Sequence, residues 1–330
     1  MFRVLPVALV ALLALASAAD AAPKKTKLIE LRVEGDGETL DEGTWYATGA
    51  AQVKGARKPN CQARPRATRF PGASALTVLG RAQLANPALD PVRTRPTDFG
   101  PQICQIGGLK SFGVFPNPNA GFLYYVNYAG ATSSADVAKV KDGDRVLWHY
   151  AAFPSDPPQP GDPPSVNTGC ALQLRDVPAH DEDGEFTVRV SAHGFACQST
   201  NTGVAIAGAD LSNPTGAGGL YDVSVGDGTA ELYAERGQDV RSNRLAVCVG
   251  AASACPNAHG RTIVGSARAD GLRGTPGFDA VRSAGGDDLI NLRQGGRDRA
   301  NCGGGDDVVR LKRGDGNDQV RGNCERIRRS

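Results

Sequence analysis

The sequence predicts a mainly β, multi-domain fold, and two of its features support that class. The 330 residues include 42 glycines and 21 prolines, whereas aromatic residues make up 6% of the chain. Frequent turn residues and few aromatics favour many short strands over long helices. The second feature is a series of aspartates in the last quarter of the chain, at steps of 9 to 11 residues: Asp270, Asp279, Asp288, Asp298, Asp307 and Asp318.

This aspartate series has the form of a nonapeptide repeat. Glycines precede most of the aspartates, and an apolar residue follows two positions after each of them. In the repeat G-G-x-G-x-D-x-U-x, the glycine half forms a turn and x-U-x forms a short strand whose U side chain points inward. The pattern predicts a short parallel β-roll over residues 263–330. It resembles the hemolysin-type (RTX) calcium-binding repeats, and that resemblance implies calcium as a cofactor.

Stacked turns of such a roll bring alternate aspartates to the same edge. The first predicted row is Asp270, Asp288 and Asp307, and the second is Asp279, Asp298 and Asp318. Calcium takes oxygen ligands, and extracellular modules bind it at about 10⁻⁴–10⁻³ M. We therefore predict weak calcium binding through Asp279, Asp288, Asp298, Asp307 and Asp318.

A roll that no longer needs a metal is the competing interpretation. Arg268 stands where the motif expects glycine, Arg297 adjoins Asp298, and residues 263–330 contain 13 Lys or Arg against 10 Asp or Glu. In that case arginines pair with the aspartates, and a disulfide takes the place of the ion.

The start of the chain has the pattern of a secretory signal peptide, which we assign to residues 1–21. Arg3 gives a positive first segment, residues 4–16 are apolar, and small residues near Ala18 or Ala21 suit cleavage. This apolar run is too short for a spanning helix, and no later segment is long and apolar enough. We expect a secreted or cell-surface protein with no transmembrane segment once the signal is removed. The net charge of +2 argues against a nucleic-acid partner.

The segment 27–153 predicts a β-grasp-like α+β module. Strand patterns cover residues 28–33, 44–48, 121–128 and 144–150, and an apolar stripe at helical spacing follows Ser74, a suitable N-cap. Three stretches resemble the transcobalamin-like C-terminal domain family of exported bacterial proteins: residues 104–108, 122–127 and 143–150. The resemblance implies a β-grasp fold more firmly than any ligand. The cofactor-binding residues of this module are unknown.

Two further segments separate this module from the roll. A proline-rich linker covers residues 154–164. Six strand patterns at regular spacing then cover residues 165–249 and predict an immunoglobulin-like β-sandwich.

Eight cysteines in an exported chain favour disulfides. Neighbour pairing within segments gives Cys61–Cys104, Cys170–Cys197, Cys248–Cys255 and Cys302–Cys324. Sequence spacing alone leaves connectivity open, except that the repeat register places Cys302 and Cys324 on stacked turns. Strands in a sheet are about 4.8 Å apart, within the ~4.4–6.8 Å Cα separation that a disulfide spans.

The aromatic residues between 122 and 150 allow two interpretations. They form either the core face of a sheet or a platform for a ligand such as a carbohydrate. The residues concerned are Phe122, Tyr124, Tyr125, Tyr128, Trp148 and Tyr150.

No catalytic pattern is present in the sequence. The four histidines lack an H-E-x-x-H spacing, and no G-x-S-x-G elbow is found. We predict a non-enzymatic binding or adhesion protein with an unknown extracellular ligand or surface partner. The alternatives are a small-molecule capture protein, for cobalamin or another ligand, that uses the N-terminal module, and a secreted hydrolase.

Overall fold

The computed structural model describes residues 23, 25–57, 61–111, 120–152, 169–194, 197, 203–215, 218–251, 255, 260–314, 316 and 318–330. The predicted signal peptide and the proline-rich linker lie outside the described residues. The fold is mainly β, with several sheets, as predicted. In the described ranges, no helix has the length and apolar content needed to cross a membrane.

In the described residues between 25 and 152, the N-terminal module contains two sheets and one α-helix. Its elements are β1 (Leu28–Glu34), β2 (Thr39–Ala47), β3 (Ala51–Arg57), β4 (Gln62–Phe70), α1 (Ala75–Ala82), β5 (Arg93–Thr97), β6 (Gly100–Ile106), β7 (Leu109–Lys110), β8 (Ala120–Val126), β9 (Ala129–Gly130) and β10 (Arg145–Ala152). One sheet has the order β4-β3-β5-β6-β7, and the other contains β2-β1-β10-β8-β9.

Helix α1 begins where the sequence predicts. The Ser74 hydroxyl accepts the Thr77 amide, and the Thr77 hydroxyl accepts the Ser74 amide, so both residues form a capping box. The helix packs so closely on β3 that a Cβ on Gly80 would lie 2.8 Å from Val53. This close contact requires glycine at that position.

The middle module lies between residues 169 and 251, and its described part has two four-stranded sheets around one apolar core. Its strands are β11 (Ala171–Arg175), β12 (His180–Asp181), β13 (Glu185–His193), β14 (Ala205–Ala207), β15 (Leu211–Pro214), β16 (Leu220–Ser224), β17 (Gly228–Glu235) and β18 (Leu245–Val249). The sheet orders are β11-β13-β16-β15 and β12-β18-β17-β14.

The C-terminal coil, residues 260–330, winds between two parallel ladders. Its strands are β19 (Thr262–Val264), β20 (Gly271–Arg273), β21 (Ala280–Arg282), β22 (Leu289–Leu292), β23 (Arg299–Asn301), β24 (Val308–Leu311), β25 (Gln319–Val320) and β26 (Arg326–Arg329). Odd-numbered strands stack in one ladder and even-numbered strands in the other. The apolar residues that follow the aspartates point inward, as predicted, and all are buried except the half-buried Val320: Leu272, Val281, Ile290, Ala300, Val309 and Val320.

The coil continues the long sheet of the N-terminal module, a contact that the sequence did not predict. Strand β19 pairs in parallel with β2, so that Ile263 lies opposite Trp45 and Val264 opposite Tyr46. Trp45, Leu28 and Ala47 belong to the same buried cluster as the coil interior. The N-terminal module therefore supplies one end wall of the coil's core.

A buried ionic group joins the N-terminal and middle modules. Arg32 Nε lies 3.0 Å from Glu34 Oε1, and Arg241 Nη2 lies 3.2 Å from the same oxygen. Arg32 Nη2 also donates to the Arg241 carbonyl, at 2.5 Å. Since Arg32 and Glu34 are each at most 5% exposed, loss of either partner leaves a buried charge unpaired.

The four disulfides join the same cysteines that the sequence paired: Cys61–Cys104, Cys170–Cys197, Cys248–Cys255 and Cys302–Cys324. The last of them has a Cα separation of 5.2 Å and connects the two final turns on one edge of the coil. It closes the end of the coil that lies furthest from β2.

The six aromatic residues between 122 and 150 are buried core residues, so the ligand-platform interpretation was wrong. Phe122, Tyr124, Trp148 and Tyr150 lie in the core of the N-terminal module. Tyr125 and Tyr128 instead pack against Ala171 and Val240 of the middle module. Each of the six side chains is at most 8% exposed, which leaves no open ring face for a ligand.

We predict that Trp45→Ala destabilises the coil although Trp45 belongs to another module. Truncation of a buried tryptophan costs about 3–5 kcal/mol, and here the lost contacts are those of the coil's end wall. Hydrogen exchange of residues 262–311 should accelerate. The control is Leu232→Ala in the middle module, which should leave exchange in the coil unchanged. Equal protection of the coil in wild type and Trp45→Ala would contradict the shared core.

Candidate metal centre

The ladder aspartates accept hydrogen bonds from backbone amides one coil away. On the first edge, the Asp270 amide donates to Asp288 Oδ1 at 2.8 Å, and the Asp288 amide donates to Asp307 Oδ1 at 2.8 Å. Glu325 ends this row, since its Oε2 accepts the Asp307 amide at 2.8 Å. These bonds satisfy the amide of the aspartate just before each strand, which lies outside the strand pairing.

The second edge has the same arrangement. The Asp279 amide donates to Asp298 Oδ1 at 2.9 Å, and the Asp298 amide donates to Asp318 Oδ1 at 3.1 Å. The row begins with the Arg261 amide, which donates to Asp279 Oδ1 at 2.8 Å. The structure thus brings together the two rows of aspartates that the repeat spacing predicts.

The first two turns also satisfy the second carboxylate oxygen from within the protein. The Ser266 amide donates to Asp270 Oδ2 at 2.6 Å, and the Thr275 amide donates to Asp279 Oδ2 at 2.5 Å. The Thr26 hydroxyl adds a bond of 2.9 Å to Asp270 Oδ1. Asp270 and Asp279 therefore have partners for both oxygens without an ion.

Two glycine turns differ from this pattern. Asp288 Oδ2 and Asp307 Oδ2 are buried and, among the described residues, have no hydrogen-bond partner. The Ser283 hydroxyl lies near Asp288, but it donates to the Cys302 carbonyl at 2.5 Å. No Lys or Arg nitrogen of the described chain lies within 4 Å of either carboxylate, so the arginine pairing of the metal-free interpretation does not occur at these two positions.

Glycines hold these two turns in contact. The Gly286 amide donates to the Gly304 carbonyl at 2.8 Å, and the Gly304 amide donates to the Ala284 carbonyl at 3.2 Å. A Cβ on Gly305 would lie 2.2 Å from the Gly286 carbonyl oxygen. Gly286 and Gly305 also have φ values of 93° and 141°, in the region that favours glycine. Side chains at these positions would clash with the backbone of the neighbouring turn.

Burial changes the acidity of these carboxyls. The pKa of Asp288 is raised to about 7, chiefly by burial and also by the nearby carboxylates of Asp307 and Asp270, while the Ser283 hydroxyl and the Asp270 amide act in the opposite direction. Burial likewise raises the pKa of Asp307, with the carboxylates of Glu325 and Asp287 acting in the same direction. A cation placed beside the open oxygens would favour the charged form of both groups.

The open oxygens fit a hard cation such as calcium, which takes carboxylate and carbonyl oxygens. Asp288 and Asp307 would provide carboxylates from adjacent turns, and the glycine turns would provide carbonyls. Among the described residues, no three His, Cys, Asp or Glu side chains lie together at one point.

Several residues of these rows were not found from the sequence. Glu325 was missed because it lies outside the aspartate spacing, and Thr26 because it is 244 residues away from Asp270 along the chain. Ser266 and Thr275 each lie four residues before their aspartate. A Ser or Thr four residues before an aspartate is therefore the sequence signal that could have predicted a turn whose own amide donates to the carboxylate.

A hydroxyl–imidazole pair lies in the middle module. Ser191 Oγ is 2.9 Å from His193 Nε2, and the His193 ring packs on Tyr128 at a centroid distance of 5.2 Å. Burial lowers the pKa of His193. In the described part of the chain, no Asp or Glu carboxylate hydrogen-bonds to this imidazole.

No family model, curated protein or solved structure matches this chain.

We predict that, with calcium chelated, the contribution of Asp288 to stability falls as the pH rises. Its pKa is raised to about 7 in the folded state, so the folded protein holds a proton that the unfolded chain has released. The resulting stabilisation is complete below about pH 4 and is lost through pH 7.

Thermal unfolding at pH 5 and pH 8, with chelator, tests this for wild type and Asp288→Asn. The fall in stability from pH 5 to pH 8 should be smaller in Asp288→Asn. The same pH dependence in both proteins would show that Asp288 does not titrate as described.

Proposed function

We propose that this chain is a secreted or cell-surface modular protein that binds calcium in its C-terminal coil and has a non-enzymatic binding or adhesion role. The observation that carries the calcium proposal is the pair of buried oxygens, Asp288 Oδ2 and Asp307 Oδ2, on stacked glycine turns. A buried charged oxygen without a partner is costly. A bound cation would offset that cost.

The fold supports this proposal in its details. The coil has the winding, inward aliphatic residues and glycine turns expected of a β-roll of the RTX type. In this proposal, the paired four-stranded sheets of the middle module form an immunoglobulin-like spacer, and the N-terminal module is a β-grasp-like unit. The four disulfides are typical of a protein that folds in an oxidising compartment.

Calcium would then couple folding of the coil to export. Binding free energy for a site that exists only in the folded state is folding free energy. Low calcium inside the cell would leave the coil weakly ordered, and higher calcium outside would complete it. The backbone bonds of Asp270 and Asp279 do not depend on an ion, so the first coils beside β2 would be the least sensitive to calcium.

Calorimetric titration of the mature protein tests the calcium site. Wild type should bind calcium at about 10⁻⁴–10⁻³ M, and Asp288→Asn/Asp307→Asn should give no binding heat, since both open oxygens are lost. Asp270→Asn is the matched control, because its carboxylate already has partners within the protein, and it should retain the heat.

Circular dichroism would show that each variant is folded before titration. No heat in folded wild type, or equal heat in wild type and the double variant, would contradict the site.

A small-molecule capture protein is the second candidate, and a cleft of about 660 Å³ favours it. The cleft lies where the three modules meet, a common place for ligand sites. The Arg261 guanidinium stacks 3.8 Å over the Trp45 ring at this cleft, and Arg145 pairs with Glu30 at 2.9 Å. A visible absorbance of the purified protein would favour this candidate over an adhesion role.

A further inference from the structure

The sheet β4-β3-β5-β6-β7 has an extreme charge composition. Its five strands contain eight Lys or Arg residues and no Asp or Glu. The rest of the chain then holds 29 Lys or Arg against 35 Asp or Glu. The net charge of +2 is therefore the sum of a basic sheet and an acidic remainder of the chain.

Arg64 and Arg66 are the exposed cations of this sheet that line a groove. Both lie on β4, the edge strand, and neither has an Asp or Glu partner among the described residues. Two other basic residues of the sheet have partners within the protein. Lys54 pairs with Asp90 at 3.0 Å, and Arg93 donates to Gln105 Oε1 at 2.8 Å.

A groove of about 400 Å³ runs beside these two arginines. Gly55 and Ala56 line the groove with small residues, and Thr68 and Thr94 line it with hydroxyl-bearing side chains. Arg64 and Arg66 are two residues apart on one strand, so their side chains leave the same face about 6.6 Å apart. The groove thus offers two cations at a regular interval beside small and hydroxylated residues, and Phe70, Pro96 and Pro101 add apolar surface to its lining.

A polymer with repeated negative groups fits this arrangement. The residue composition of the sheet decides which class of polymer fits best. Sheets that bind nucleic acid stack successive bases on several aromatic side chains, but Phe70, which lines the groove, is the single aromatic residue in these five strands. A membrane would favour the exposed Phe99, which is 92% accessible. However, Asp98 adjoins Phe99, and anionic lipids repel that carboxylate.

We infer that this groove binds an anionic polysaccharide through Arg64 and Arg66. Carboxylate or sulfate groups of the polymer accept charge-assisted hydrogen bonds from the two guanidiniums. Sugar hydroxyls exchange hydrogen bonds with the threonines of the groove. This inference rests on the proposed binding role and names its class of partner, but it does not depend on the calcium site.

Arginines on an edge strand also prevent association with other sheets, and the experiment separates that role from ligand binding. The full mature protein is titrated against immobilised heparin, alginate and neutral dextran. Arg64→Gln/Arg66→Gln is compared with Arg282→Gln/Arg321→Gln, a pair of exposed arginines on the coil with the same change in charge. A single-stranded DNA oligonucleotide and phosphatidylglycerol vesicles are the other two probes.

Heparin or alginate should bind wild type, dextran should not, and binding should weaken with salt. Loss of two charge-assisted contacts should reduce affinity in Arg64→Gln/Arg66→Gln by about tenfold or more. The control pair should change it by less than about twofold.

Three results would overturn the inference: no binding to either polysaccharide, equal weakening by both pairs, or tighter binding to DNA or vesicles than to the polysaccharides.

The titration is repeated with calcium and with chelator. Unchanged binding in both is expected, and loss in chelator would place the site on the coil. Failure of calcium binding alone, with polysaccharide binding intact, would remove only the calcium part of the proposed function.

Discussion

The parallel pairing of β19 with β2 is the constraint on which the rest of the structure depends. A coil of short strands buries its interior only against neighbouring coils, so each end needs a cover. Here β2 and Trp45 cover the first coil, and the disulfide Cys302–Cys324 fastens the last turns. The N-terminal sheet therefore acts as a template, and the coil extends from it one strand at a time.

The same stacking explains why the aspartates are buried. Along each row, a carboxylate accepts the backbone amide of the aspartate one coil earlier. A residue that costs free energy when buried therefore also satisfies a backbone donor. One oxygen is enough for that bond. In the turns nearest the N-terminal module, the Ser266 and Thr275 amides donate to the second oxygen. At Asp288 and Asp307 the second oxygen is buried and has no hydrogen-bond partner among the described residues. A proton or a cation would neutralise the charge on this oxygen, and the two would compete for it.

Much of the coil could be predicted because its period fixes the register. The spacing of Asp288 and Asp307 gives their common edge, and the same register relates Cys302 to Cys324. The helix α1 could also be predicted, since Ser74 and the apolar stripe are local signals. The strand pairing that places Ile263 opposite Trp45 could not be predicted, because pairing between residues more than 200 positions apart leaves no local pattern. The basic strand β4 was missed for another reason: its residues do not alternate between apolar and polar, since the strand lies at an edge and is exposed.

The most direct measurement of the central claim is the folding of residues 260–330 expressed alone, followed by circular dichroism with chelator and with millimolar calcium. If the N-terminal sheet is the template, the isolated coil lacks its end wall at Ile263 and should remain largely unfolded with chelator, while the intact protein stays folded under the same conditions. An isolated coil that is as folded and as stable with chelator as it is within the intact chain would contradict this account.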